Sequence, residues 1–109
     1  MKITTRTEDD VTVVDVSGSL DTQTAGPASE ELASIAQGNS KLLLNFEHLE
    51  FLSSAGLRVL LRTAKQLNGA GGTMKICSPS GTVKEVMEIS GFSNFLDVHD
   101  SESEALSTF

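Results

Sequence analysis

The chain has 109 residues, of which 39% are hydrophobic, and a formal net charge of -7 at pH 7. We expect one domain over residues 1–109, and the acidic balance argues against a nucleic-acid or anionic membrane partner. The single cysteine, Cys77, excludes an internal disulfide and is predicted to be a buried small hydrophobe. Neither a membrane span nor a signal-peptide core is evident, so we expect a cytoplasmic protein.

The first third of the sequence predicts a hairpin followed by a helix. Two strands, over 2–8 and 11–17, are separated by an acidic turn and are expected to pair antiparallel. Apolar residues at helical spacing then predict a helix over 25–37, with Thr24 as its N-terminal cap. The predicted buried face of this helix consists of Ala25, Ala28, Leu32 and Ile35.

The middle of the sequence predicts a central strand, a loop and a long helix. The continuous apolar run KLLLNF, over 41–46, is typical of a strand covered on both faces. The following EHLEFL is predicted to be a loop, and a helix is predicted from near Ser54 to the glycines at 69–72. The predicted buried face of this helix consists of Leu57, Leu60, Leu61, Ala64 and Leu67.

The last third predicts a strand over 73–77, a helix within PSGTVKEVMEISG that stops at Gly91, and a short strand over 95–98. Val83, Val86 and Met87 are expected to face inward on that helix. SESE at 101–104 matches a capping box and predicts a final short helix. Strands therefore alternate with helices after an opening hairpin. This order predicts an α/β domain with a mixed sheet of about five strands and about four helices.

Two adjacent serines, Ser53 and Ser54, precede the long helix. Strand-to-helix loops at the carboxyl edge of a sheet are where open α/β folds place their sites. The unpaired N–H groups and partial positive charge of the helix N-terminus would stabilise a phosphate on Ser54. Small residues at Ala55 and Gly56 would leave room for it. The alternative is that a serine serves only as an N-cap, which contributes about 1 kcal/mol. The residues alone leave both interpretations open.

The segment LNFEHLEFLSSAGL resembles the phosphorylation-site segment of the anti-sigma factor antagonists, which are single-domain members of the STAS family of bacteria. In that pattern Gly56 and Leu57 match a Gly-Leu pair, and the phosphorylated serine falls on Ser54. The later GGTMKICSPSGTVKEVMEISGF is similar to the glycine-led strand and following helix of the family. The upstream GSLDTQTA resembles a third family pattern through Gly18, Leu20, Asp21, Thr24 and Ala25.

The resemblance implies a STAS-like fold and a regulatory binding protein that is not an enzyme and needs no cofactor. Unphosphorylated, such a protein binds an anti-sigma factor that is also a serine kinase, and so frees a sigma factor. Phosphorylation of Ser54 by the kinase breaks the complex, and a serine phosphatase restores the starting state. The candidate partner-binding residues are Asp21, Thr24, Ser53, Ser54, Gly56 and Arg58.

The sequence departs from the family pattern beside the phosphorylated serine. The family often has Asp directly before that serine, where this chain has Ser53. The serine and the residue after it are Ser54 and Ala55 in this chain, where the family has Ser-Ser or Ser-Thr. Loss of the carboxylate removes a negative charge beside the hydroxyl of Ser54, which could weaken kinase engagement or mark a different partner. A second hypothesis is therefore a non-switching accessory subunit, such as the STAS-like domains of lipid-transport ATPase complexes.

Asp21 and a basic stripe each have a structural and a functional interpretation. Asp21 either helps to cap the helix at 25–37 or, through the family resemblance, takes part in docking beside Ser54. Arg58, Arg62 and Lys65 form a row that is either a solvated helix face or a docking surface for an acidic partner.

The sequence offers little support for catalysis or metal binding. The only histidines, His48 and His99, are predicted to be surface or loop residues and are not framed by a metal-ligand set. A third hypothesis makes Ser54 a catalytic nucleophile, but neither a nucleophile elbow nor an assigned base accompanies it. GAGGTMK lacks the order of a Walker loop, so we do not expect productive ATP binding by this chain alone.

Overall fold

An antiparallel hairpin opens the fold, as predicted. The computed structural model describes residues 1–109 apart from the side chain of Ser93. Strands β1 (Lys2–Glu8) and β2 (Val11–Leu20) pair antiparallel along the full length of β1. The prediction ended β2 three residues too early. Gly18 has a φ of 91°, and from this residue onward the end of β2 pairs, through an irregular register, with a strand that the sequence did not predict.

Parallel strands complete the mixed sheet. The sheet order is β1-β2-β3-β5-β6, and β4 pairs with the C-terminal end of β2 beyond the reach of β3. The observed sheet thus has six strands where about five were predicted. The four parallel strands that follow β2 are β3 (Lys41–Asn45), β4 (Leu49–Leu52), β5 (Thr73–Cys77) and β6 (Asp97–His99).

Strand β4 replaces much of the predicted loop after β3. The chain turns at Phe46, whose carbonyl accepts from the Leu49 N–H at 3.0 Å. Leu49 and Leu52 are buried, whereas Glu50 and Phe51 between them are exposed. This order does not show the period of two that identifies a half-buried strand, because Glu50 bulges out of the pairing between Leu49, opposite Gly18, and Phe51, opposite Ser19.

Helices cover both faces of the sheet unequally. Three of them pack with a large core on one face, and the short fourth helix packs on the other. Within the described residues, none of the helices has the length and apolar character that a bilayer crossing requires. The helices are α1 (Ala25–Gln37), α2 (Ser54–Gly69), α3 (Gly81–Ile89) and α4 (Glu102–Leu106), with a 3-10 turn at Phe92–Asn94.

The larger core confirms most of the predicted helix faces. Its central strands contribute Val14, Leu42, Leu44 and Ile76, which are all fully buried. On α2 the prediction was incomplete, because Leu61 and Ala64 are half-buried while Val59 and Thr63 are buried in addition to the expected leucines. Ala28, Leu32, Leu57, Leu60, Leu67, Val83 and Met87 are buried as predicted.

The smaller core lies between the sheet and α4. Val13, Leu43 and Cys77 are fully buried there against Ala105 of α4, which confirms the prediction for Cys77. The phenyl ring of Phe109 packs on the edge of the same cluster. This second face of the sheet therefore depends on a helix of only five residues and on the chain that follows it.

Near the C-terminal strands one local prediction was confirmed and two were wrong. Helix α3 ends at Ile89 with Ser90 as its C-cap, and Gly91, with a φ of 78°, stops the helix as predicted before the 3-10 turn. The last strand begins at Asp97, because Phe95 belongs to the preceding turn and is 77% exposed. His99 lies within β6 with 13% of its side chain exposed, and its Nε2 is 2.9 Å from an Asp97 carboxylate oxygen. His48 is exposed in a turn, as expected.

Candidate functional site

The predicted site residues lie at one edge of the sheet, where β2 and β4 end side by side. Leu20, the last residue of β2, is paired with Leu52, the last residue of β4. The Ser53 N–H donates to the Leu20 carbonyl at 2.9 Å and extends this alignment by one residue. The loop that begins at Asp21 and the start of α2 therefore leave the same edge of the sheet, as the sequence predicted.

The two serines occupy different positions at the start of α2. Ser53 is the N-cap, with extended backbone at φ −92° and ψ 172°, and its hydroxyl accepts from the Gly56 N–H at 3.1 Å. Ser54 is the first residue of the helix, and its side chain is exposed. Ser53 thus satisfies a backbone N–H donor of the helix, whereas Ser54 is exposed on the surface of the protein.

Gly56 is required by packing at the edge of the sheet. It is buried, and a Cβ atom at this position would lie 2.8 Å from both the Leu20 carbonyl oxygen and Leu52 Cδ1. This overturns the reason that we gave for a glycine here. The missing side chain allows α2 to approach β2 and β4, and the space is filled by Leu20 and Leu52.

Asp21 and Thr24 fold the loop between β2 and α1. Asp21 Oδ1 accepts from the backbone N–H groups of Gln23 at 2.9 Å and Thr24 at 3.1 Å, as in an Asx turn. Thr24 occupies the N-cap position, but the predicted capping by its side chain is wrong. Its hydroxyl accepts from the Asp21 N–H and donates to the Ser19 carbonyl, each at 2.9 Å. Both side chains are half-buried.

Arg58 lies one helical turn after Ser54 and is exposed. It borders a shallow groove of about 190 Å³ between the N-terminal halves of α1 and α2. Arg62 borders the same groove, and its Nη1 donates to Ser29 Oγ at 3.4 Å. Arg58 therefore lies one helical turn from Ser54, on the side of α2 that borders the groove with α1.

Phe51 was missed by the sequence analysis. It lies on β4 three residues before Ser54, and 47% of its surface is exposed. An aromatic side chain that is exposed beside a candidate docking edge is typical of interface residues. The only signal in the sequence was the aromatic residue within LEFL, and it was lost because that segment was predicted to be a loop.

Comparison with known proteins identifies the family of the chain. The family model described as "STAS domain" matches residues 2–105. The chain belongs to the STAS domain family. The STAS match spans all six strands and extends into α4, so the fold prediction is confirmed.

Named relatives of this STAS domain are similar along most of their length. The BtrV protein of Bordetella bronchiseptica is 34% identical over 110 residues, which cover 100% of this chain and 95% of BtrV. The anti-sigma F factor antagonist of Paenibacillus polymyxa is 30% identical over 98 residues, which cover 88% of this chain and 84% of that protein.

The fold also matches a Bacillus anti-sigma factor antagonist, SpoIIAA, that has been solved in two states. The unphosphorylated form superposes with a TM-score of 0.80 at 22% identity and covers 98% of this chain and 95% of SpoIIAA. The phosphorylated form superposes with a TM-score of 0.71 at 23% identity and covers 98% of both chains. At this level of identity the likeness establishes the fold alone.

Proposed function

We propose that this STAS domain is an anti-sigma factor antagonist that binds an anti-sigma factor with serine kinase activity and is released when Ser54 is phosphorylated. The observation that carries the proposal is the division of roles between the two serines. Ser53 Oγ is engaged by the Gly56 N–H, whereas Ser54 is exposed at the first position of α2. The names of the Paenibacillus relative and of SpoIIAA support the same class of function.

The start of α2 suits a phosphate chemically. The first N–H groups of a helix have no partner within it, and the helix dipole favours an anion at this end. In the transfer step, Ser54 Oγ would form a bond to the γ-phosphorus of ATP as the bond to the ADP oxygen breaks. The hydroxyl proton would pass to a base of the kinase. The chain itself would supply no cofactor and no catalytic group.

Phosphorylation would release the partner by changing the charge of one surface. A phosphate adds about −1.5 to −2 charge near neutral pH. The loop of Asp21 and Thr24 leaves the same sheet edge, so the added charge would fall close to a carboxylate that is already part of the surface. We place Asp21, Thr24, Ser53, Ser54 and Arg58 in the partner interface, with buried Gly56 acting only by fixing the start of α2.

The departure at Ser53 is compatible with this function. Aspartate and serine are comparable as N-caps, so the exchange keeps the backbone of the helix start while removing one negative charge. A serine phosphatase would then return the protein to its binding state. We place the cycle in the cytoplasm, where the proposed partners are an anti-sigma kinase and a phosphatase.

Phosphate mapping tests the proposal. After incubation with its cognate anti-sigma kinase and ATP, the chain should carry one phosphate on Ser54 by mass spectrometry, and Ser54→Ala should carry none. The matched control is Ser53→Ala, which should still accept phosphate while losing about 1 kcal/mol of stability with its cap. Phosphate on Ser53 with Ser54 unmodified would contradict the assignment. Stable binding to a transporter ATPase without any phosphorylation would favour the accessory-subunit hypothesis.

A further inference from the structure

The basic residues of this acidic chain that lack a carboxylate partner are concentrated on one helix. Of the eight lysines and arginines, four lie within ion-pairing distance of carboxylates. In the residues that the structure describes, three exposed cations of α2 have no such carboxylate partner. These three residues, which we call the basic stripe, are Arg58, Arg62 and Lys65.

The basic stripe borders space that a partner could enter. The groove between α1 and α2 is lined by the small residues Ala25, Gly26 and Ala55, with Arg58 and Arg62 on its α2 side. A Cβ atom at Gly26 would meet no atom within 4 Å, so the surface at this position is open. The groove therefore combines a shallow floor without long side chains and two guanidinium groups that can each bind a carboxylate in a bidentate geometry.

We propose that the basic stripe binds an acidic segment of the partner protein, and that phosphate on Ser54 disables the basic stripe by pairing with Arg58. This inference rests on the proposed function and specifies the chemistry of its interface. A row of cations without carboxylate partners, on a chain of net charge -7, creates a local field opposite to that of the whole molecule. Such a row selects carboxylates and repels other cations, which gives the interface its specificity.

The spacing of Ser54 and Arg58 provides the switch. They stand four residues apart at the start of one helix, with the acceptor of phosphate on the N-terminal side. This order favours an ion pair between a negative residue and the following cation. Phosphorylated Ser54 therefore neutralises Arg58 within the same helix and leaves additional negative charge beside the groove. An acidic partner segment then meets repulsion where it previously met a cation.

Binding measurements on charge-matched variants test the proposal. We expect Arg58→Gln/Arg62→Gln to bind the cognate anti-sigma factor at least about tenfold more weakly at low salt, with a smaller dependence of affinity on ionic strength. Lys2→Gln, which removes an exposed cation, and Lys2→Gln/Lys84→Gln, which also removes a partly exposed cation paired with Asp100, are controls on other surfaces and should stay within about twofold of the parent. An equal loss in the double control, or an unchanged affinity of Arg58→Gln/Arg62→Gln, would overturn the proposal.

A second arm does not depend on the anti-sigma factor. Titration of the ¹⁵N-labelled chain with decaglutamate should shift the amide signals of α2 around Arg58 and Arg62, whereas decaglutamine should not. The shifts should be lost in Arg58→Gln/Arg62→Gln and reduced in Ser54→Asp. Absence of shifts along α2 would overturn the basic stripe as a carboxylate-binding surface. If the peptide binds there but the anti-sigma factor does not bind the parent chain, the proposed function fails and the carboxylate site stands.

Discussion

Ser53 and Ser54 are adjacent in sequence, but their hydroxyl groups have different surroundings. The extended backbone of Ser53 turns its Oγ back toward the Gly56 N–H, and the helical backbone of Ser54 leaves its side chain exposed. Residue types alone could not make this distinction, since both positions carry serine and either serine could serve as the N-cap. The family resemblance assigned the register, and the backbone geometry at the helix start supplies a physical reason for it.

Gly56 provides a prediction about packing at the site. Gly56→Ala should lower the free energy of unfolding by about 1–3 kcal/mol, because the added methyl group would overlap the Leu20 backbone and Leu52 Cδ1. Gly69→Ala is the matched control in the same helix, where a Cβ atom meets nothing within 4 Å. It should stabilise the protein by up to about 1 kcal/mol. Urea unfolding of both variants measures the difference, and equal effects would contradict the packing role of Gly56.

Asp21 allows its structural and docking roles to be separated. In Asp21→Asn the amide oxygen can still accept from the Gln23 and Thr24 N–H groups, so stability should stay within about 1 kcal/mol of the parent. If the charge serves docking, the same variant should show slower phosphorylation or weaker kinase binding. Thermal unfolding and calorimetric titration measure the two effects. Parental values for both phosphorylation and affinity would restrict Asp21 to its role in the turn.

At the scale of elements, the sequence predicted those whose apolar spacing is regular. The bounds of β1, α1 and β5 were correct because their turns and periodic runs are clear in the sequence. Strand β4 was missed because its burial order is set by a bulge at Glu50, opposite Gly18 and Ser19 of β2, and β2 lies about thirty residues earlier in the sequence. The geometry of the site is likewise hard to predict from local spacing, because the pairing of Leu20 with Leu52 places the Asp21 loop beside the start of α2.

An ionic cluster joins the opening hairpin to β3 and α4. Arg6 Nε donates to Asp15 Oδ2 at 2.8 Å, and its Nη1 donates to Glu102 at 3.1 Å. Asn45 Nδ2 donates to Asp15 Oδ1 at 2.8 Å. The hydrogen bond from Arg6, aided by that from Asn45, lowers the pKa of Asp15, although partial burial opposes the shift. Asp15 therefore stabilises the fold in its ionised form.

The lowered pKa of Asp15 predicts an acid-dependent part of the stability. The unfolded pKa is about 3.9, so below it the unfolded chain binds more protons than the folded chain. The contribution of Asp15 is complete above that value and is lost as the pH falls through the lower folded pKa. Asp15→Asn should cost about 1 kcal/mol at pH 7, after allowance for solvent screening, and should flatten the decline in stability below about pH 4. Asp9→Asn in the exposed hairpin turn is the control, and an equal flattening there would contradict the assignment.

At the scale of the whole molecule, the two faces of the sheet are protected differently. Three helices cover the face that contains the larger core, and the serine site lies at the edge of that layer. The opposite face is covered by the five residues of α4 and the chain to Phe109. Ion pairs from Arg6 to Glu102 help to hold α4 in place. Because such pairs are partly exposed and screened by salt, we expect α4 to open more readily than the larger layer.

Cys77 can report on that opening. It is fully buried beneath α4, and burial raises the pKa of its thiol to about 11. A thiol reagent at pH 8 should therefore label the folded chain more than about a hundredfold more slowly than the unfolded chain, because the thiolate forms only when the site opens. Glu102→Gln, which weakens the contact with Arg6, should label about three- to tenfold faster than the parent, with little change in global stability. Glu88→Gln makes the same chemical change on exposed α3 and should label at the parental rate. If all three proteins label at one rate that matches global unfolding in denaturant, α4 does not open by itself, and the thin layer over Cys77 unfolds only together with the rest of the domain.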